Sequence, residues 1–86
     1  MLFPRDPALP VAVEVELSVK AARRLEAICR AWAPCRLVGE VRYYAPPHVA
    51  RAVSRAVSVA HAGDVIRVLS LEDALNKEAG VVQFAA

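Results

Sequence analysis

Two consecutive prolines, Pro46 and Pro47, constrain this chain more than any other feature. Neither can donate an N–H to a sheet ladder, so a strand that precedes them must end there. Proline is tolerated in the first turn of a helix, so the same pair opens the next element. The stretch 36–63 therefore reads as a strand, a break, and an Ala/Val helix that stops at Gly63, the expected C′ residue.

The flanking segments follow from local pattern. Three prolines in residues 1–10 predict an extended arm, and residues 11–86 a single domain. Val11, Val13, Val15 and Leu17 alternate with Ala12, Glu14, Glu16 and Ser18. That period of two predicts a strand covered on one side only, with its large apolar residues together and its carboxylates opposite. Ser18 is the expected N-cap of a helix over 19–33, in which Ala21, Leu25, Ile28, Cys29 and Trp32 make one stripe. Glu26 and Arg30 are spaced for an i, i+4 ion pair, and Pro34 ends the helix. A strand over 37–44 turns Leu37, Gly39, Val41 and Tyr43 one way and Val38, Glu40, Arg42 and Tyr44 the other.

In the helix over 47–62, Val49, Val53, Val57 and Ala60 form the apolar stripe, and Arg51, Arg55 and Ser58 the outer face. Residues 64–69, apolar on both sides except for Arg67, predict a central or doubly covered strand. Ser70 with Asp73 is close to a capping box for a short helix over 71–79, and 81–84 reads as a last strand. The expected fold is α/β: one small βαβαβ(α)β domain, a mixed sheet with helices packed on it.

Size and charge bound what such a domain does. A chain of 86 residues, 57% hydrophobic, has more apolar side chains than a small core can hide. A self-associating face is expected, and a homodimer with it; Val49, Val53, Val57 and Ala60, beside the small Ala50, Ala52 and Ala56, are its expected interface. The formal net charge of +2 is unevenly spread. Between Lys20 and Arg67 lie nine basic residues and three acids, so the middle is strongly basic and the ends acidic. A basic middle permits a polyanion-binding surface. Scarce amides and the excess of Arg over Lys are mild marks of a thermophile. The start of the chain has no basic region followed by an apolar core, and no apolar run reaches membrane-spanning length, so a cytoplasmic location is expected.

The spacing of the chemically active residues carries no catalytic signature. Cys29, Cys35, His48 and His61 match no structural zinc pattern, and neither His has a motif that would activate a Cys nucleophile. The three glycines are scattered and form no phosphate-cradling loop. No enzyme, metal or cofactor is expected. Cys29 and Cys35 read as small buried hydrophobes, with an intrachain bridge as the alternative.

What remains is electrostatic. Lys20, Arg23 and Arg24 cluster at the start of the first helix, Arg42 lies on the second strand, and Arg51 and Arg55 ride the second helix. Gathered on one side, these six would neutralise several phosphates, and an exposed Tyr43 or Tyr44 would stack on bases.

The run EVELSVKAARRLEAICRAWAPCRLVGEVRYYA, followed by VARAVSRAV, carries a resemblance. Over about residues 13–69 the chain resembles the Alba superfamily of small archaeal nucleic-acid-binding proteins. Lys20 stands at one lysine of that family's pair and Arg51 at the basic position of its second helix, while Val19 replaces the second lysine. Pro46-Pro47-His48 replaces the family's Arg-Gly step, and the acidic segment 71–79 replaces its basic hairpin. The resemblance implies an Alba-like fold and a dimer that binds DNA or RNA without base specificity. The alternative expectation is a non-catalytic interaction subunit of a larger assembly, with no nucleic-acid contact.

Overall fold

The computed structural model describes residues 8–77. In chain order the elements are β1 (Val11–Val15), α1 (Ala22–Trp32), β2 (Glu40–Ala45), α2 (Pro47–Val59), β3 (Ile66–Ser70) and α3 (Leu71–Lys77). The described strands form one sheet in the order β1-β2-β3, and both pairs are parallel. Parallel neighbours need a crossover, and α1 and α2 supply the two. Both helices lie on one face of the sheet and pack against each other.

The core fills the space between that face and the helices. Val41, Tyr43 and Ala45 rise from β2 and Ile66 from β3. Leu25 and Cys29 come down from α1, and Val49, Val53, Ala56 and Val57 from α2. The residue spacing on both helices is the three- and four-residue repeat of an apolar stripe, so the helical periodicity holds. Pro46 is the N-cap of α2 and Pro47 its first helical residue, as the proline pair requires. Ser70 accepts the Asp73 N–H at 3.1 Å on its Oγ, which caps α3. Arg30 and Glu26 form their i, i+4 pair at 3.7 Å. Cys29 is buried and Cys35 half-buried, and the two are not bridged.

Several expectations are corrected. The alternation of β1 is present, but its covered side is the reverse of the one the apolar residues suggest. Register pairs Ala12 with Val41 and Glu14 with Tyr43, so these β1 residues share the helix-covered face. Val11, Val13 and Val15 therefore point to the open face and stay 42%, 61% and 53% exposed. The first helix starts three residues later than expected, after Ala21 rather than Ser18. The ladder of β1 continues to the Glu16 N–H, which bonds the Tyr44 carbonyl at 3.0 Å, and the chain must still turn before it can coil.

β3 is an outer strand of the described sheet, and β2 is the central one. The C′ residue of α2 is His61, not Gly63. His61 has φ 53°, in the left-handed region. The Ala62 N–H bonds the Val57 carbonyl at 3.0 Å and the His61 N–H bonds the Ser58 carbonyl at 3.2 Å, the paired bonds of a Schellman motif. Ala62, the residue after the left-handed one, is fully buried, which supplies the motif's apolar contact. The last expected strand, 81–84, and most of the arm, 1–10, lie outside the described residues. Against the expected mixed sheet, the described strands are all parallel.

Candidate functional site

The six basic residues singled out by the sequence separate into two groups. The Lys20 ammonium is paired with the Glu16 carboxylate. Arg42 lies on the open face of the sheet, away from the helices, and bonds Glu40 at 3.2 Å. Arg23 and Arg24 on α1, with Arg51 and Arg55 on α2, are exposed. None of these four has an ion pair among the described residues. They belong to the helix layer, and α2 has no acidic residue anywhere along it.

Backbone geometry adds to that charge. Helices that cross between parallel strands run against them, so α1 and α2 both begin at the carboxyl end of the sheet. Neither start has a side-chain cap, and neither first turn holds an acid. Unsatisfied N–H groups and the positive end of each helix dipole therefore face outward together. Arg23 and Arg24 sit in the first turn of α1, where the dipole disfavours cations. Arg51 and Arg55 stand one turn apart on α2, where like charges repel. An anion held at the start of α1 would offset the placement of Arg23 and Arg24.

The open face holds a second charged group. Glu40 takes Arg42 on one carboxylate oxygen and Arg67, from β3, on the other, each at 3.2 Å. Partial burial pushes the Glu40 carboxyl up, but hydrogen bonds and charge from Arg42 and Arg67 outweigh it and hold the carboxyl below its ordinary value. Tyr44 shares this face by alternation with Glu40 and Arg42. Tyr43, by contrast, is a core residue at 4% exposure, so only Tyr44 remains a candidate for stacking. Arg67 and the bridging role of Glu40 escaped the sequence reading. Glu40 and Arg42 share a face by simple alternation, but the third member depends on how β2 and β3 align.

The expected dimer interface is also corrected. Val49 and Val53 are fully buried and Val57 is 8% exposed, all within the chain's own core. Ala60 is partly buried against the same cluster. Val49, Val53 and Val57 are consumed by the packing of α2 on the sheet, and Ala60 alone of the four keeps appreciable exposure. A small apolar cleft lies between the start of α2 and α3, lined by Pro46, Pro47, Leu71 and Leu75 with Glu72 and Asn76 at its rim. Among the described residues no three His, Cys, Asp or Glu side chains gather as metal ligands, and no helix is long and apolar enough to cross a membrane.

Comparison with protein-family models, with characterised proteins and with solved structures finds no match for this chain. What the chain binds has to be read from its own side chains.

Proposed function

We propose that this protein is a sequence-nonspecific nucleic-acid-binding module that acts as a homodimer and grips phosphates through its helix layer. The observation that carries the reading is the set of four exposed arginines without ion pairs among the described residues, Arg23 and Arg24 in the first turn of α1 and Arg51 and Arg55 along α2, on helices whose starts have no side-chain cap. Arginine forks and free backbone N–H groups are the donors that phosphate oxygens take. The resemblance of residues 13–69 to the Alba superfamily agrees with this reading, and Arg51 belongs to both lines of support. Lys20, held by Glu16, and Arg42, on the far face, drop out of the gripping set. No catalytic role is assigned to any residue.

The test is a gel-shift series on duplex DNA and on structured RNA across salt concentrations. Affinity for duplex DNA should fall with a log–log slope of about −0.9 for each phosphate neutralised. Absence of a shift at low salt with micromolar protein removes the reading.

A second reading, a non-catalytic interaction subunit without nucleic-acid contact, is favoured by one observation: the exposed valines of β1 on the open sheet face. In that case binding to nucleic acid is absent, and the arginines are solvated surface.

A further inference from the structure

We propose that β1 is the surface through which two copies of this chain associate, edge to edge and antiparallel, about a twofold axis at Val13. The inference gives a contact surface to the homodimer of the proposed function and rests on that part of the reading alone.

Backbone direction is the first support. β1 is an outer strand and pairs only with β2 among the described residues. The Gly39 N–H bonds the Pro10 carbonyl at 2.9 Å, and the Glu16 N–H bonds the Tyr44 carbonyl at 3.0 Å. Even-numbered residues thus turn their backbone groups toward β2. By alternation Val11, Val13 and Val15 turn theirs to the bare edge. An edge of this kind is a template for another strand, and proteins usually blunt it with lysine, proline or a bulge. Val11–Val15 reads VAVEV, carries no lysine or proline, and keeps an unbroken register with β2; its blunting is limited to its short length and one charge, Glu14, on the covered face.

Charge selects the partner and the register. Read in either direction, this strand places a valine at the first, third and fifth positions. In an antiparallel pair centred on Val13, Val11 meets Val15 of the second copy and Val13 meets its own counterpart. Those are the residues whose N–H and C=O groups point outward, so each such pair exchanges both of its hydrogen bonds. Glu14 then faces Ala12 of the second copy. Centring on Glu14, or pairing in parallel register, would set two carboxylates against each other, which is destabilising. Centring on Ala12 leaves Val15 without a valine opposite it, so the Val13-centred register alone pairs all three valines, as an isologous contact allows. Cross-strand valine pairs would also join the half-exposed Val11, Val13 and Val15 of both copies into one apolar strip.

The test is light-scattering mass of the full chain without nucleic acid. Wild type should show twice the 9.3 kDa of one chain across the micromolar range. Val13→Lys and Val13→Glu should each give the one-chain mass with an unchanged circular-dichroism spectrum, because like charges then meet at the axis. Mixing the two variants in equal amounts should restore the two-chain mass. A one-chain mass for wild type overturns the proposal, and so do charged variants that keep the two-chain mass.

Amide hydrogen exchange on wild type covers the case in which the variants fail to fold. The Val11, Val13 and Val15 amides should be protected together with those of Ala12, Glu14 and Glu16. Rapid exchange at the odd positions alone overturns the proposal. Failure here leaves salt-dependent binding by a single chain intact. Absence of binding with a two-chain mass instead removes the nucleic-acid reading and keeps the interface.

Discussion

Arg42 on β2 and Arg67 on β3 are direct neighbours across the sheet, and both bond the one carboxylate of Glu40 at 3.2 Å. Like charges directly opposite on adjacent strands destabilise a sheet. Glu40 turns that liability into a bridge. Glu40→Gln should lower the melting temperature by a few degrees, the range of an exposed ion-pair network. The carboxyl is held below its ordinary value of 4.5, so its contribution is in place above that pH and is lost as pH falls through the depressed value. Thermal melts of wild type and Glu40→Gln should therefore differ at neutral pH and converge in acid.

The helix layer and the open face should separate in binding experiments. If each of Arg51 and Arg55 meets one phosphate, Arg51→Ala and Arg55→Ala should each reduce the salt slope on duplex DNA by about 0.9. Arg42→Ala should leave the slope unchanged, because Arg42 lies across the sheet and is committed to Glu40. Salt titrations of the three variants read this directly. Equal effects from all three would place the contact elsewhere.

His61 occupies the one left-handed position found among the described non-glycine residues. A side chain there costs about 1 kcal/mol that glycine does not. His61→Gly should stabilise the protein by about 0.5–1 kcal/mol, less the extra freedom glycine brings to the unfolded chain. His61→Val should destabilise it, because a branched side chain suits that region worst. Chemical denaturation midpoints at constant slope report both.

Val53 is fully buried between α2 and the sheet. Val53→Ala should cost about 2–3 kcal/mol, from lost transfer energy and the cavity left behind. The loss should not depend on protein concentration, because the residue packs within one chain. A concentration-dependent loss would return α2 to the dimer contact.

Tyr43 gives a pH signature at the alkaline end. Burial pushes its hydroxyl up to about 12 from an ordinary 10.0, with the Glu14 charge adding to the shift. The unfolded chain loses that proton first, so stability is full below pH 10 and falls as pH rises toward 12. Tyrosinate absorbance should retain a component that appears only near pH 12, together with unfolding.

Much of this fold is legible in short-range pattern. The proline pair fixes the junction of β2 and α2, the serine before α3 fixes its cap, and the helical stripes name most of the core. What pattern leaves open is which side of a strand is covered. Val11, Val13 and Val15 alternate as a buried face would, yet the register with β2 sets Ala12 and Glu14 under the helices. The end of α2 shows the same limit. Gly63 is the residue that best suits a left-handed turn, but burial of Ala62 draws the turn back to His61. The basic residues were legible as a set. Only the layering of sheet and helices separates Arg42 from Arg51 and Arg55, and only the neighbouring carboxylates decide which cations are spent.

Each strand of the described sheet lies beside the strand that comes next in the chain. Each parallel pair still closes only through a whole crossover helix, so Val11 meets Glu40 and Val41 meets Ile66 across more than twenty positions of chain. Contacts of that span make a parallel sheet slow to form. The same winding leaves both outer strands open along one side among the described residues, so unhurried assembly and an exposed pairing edge are two results of one topology.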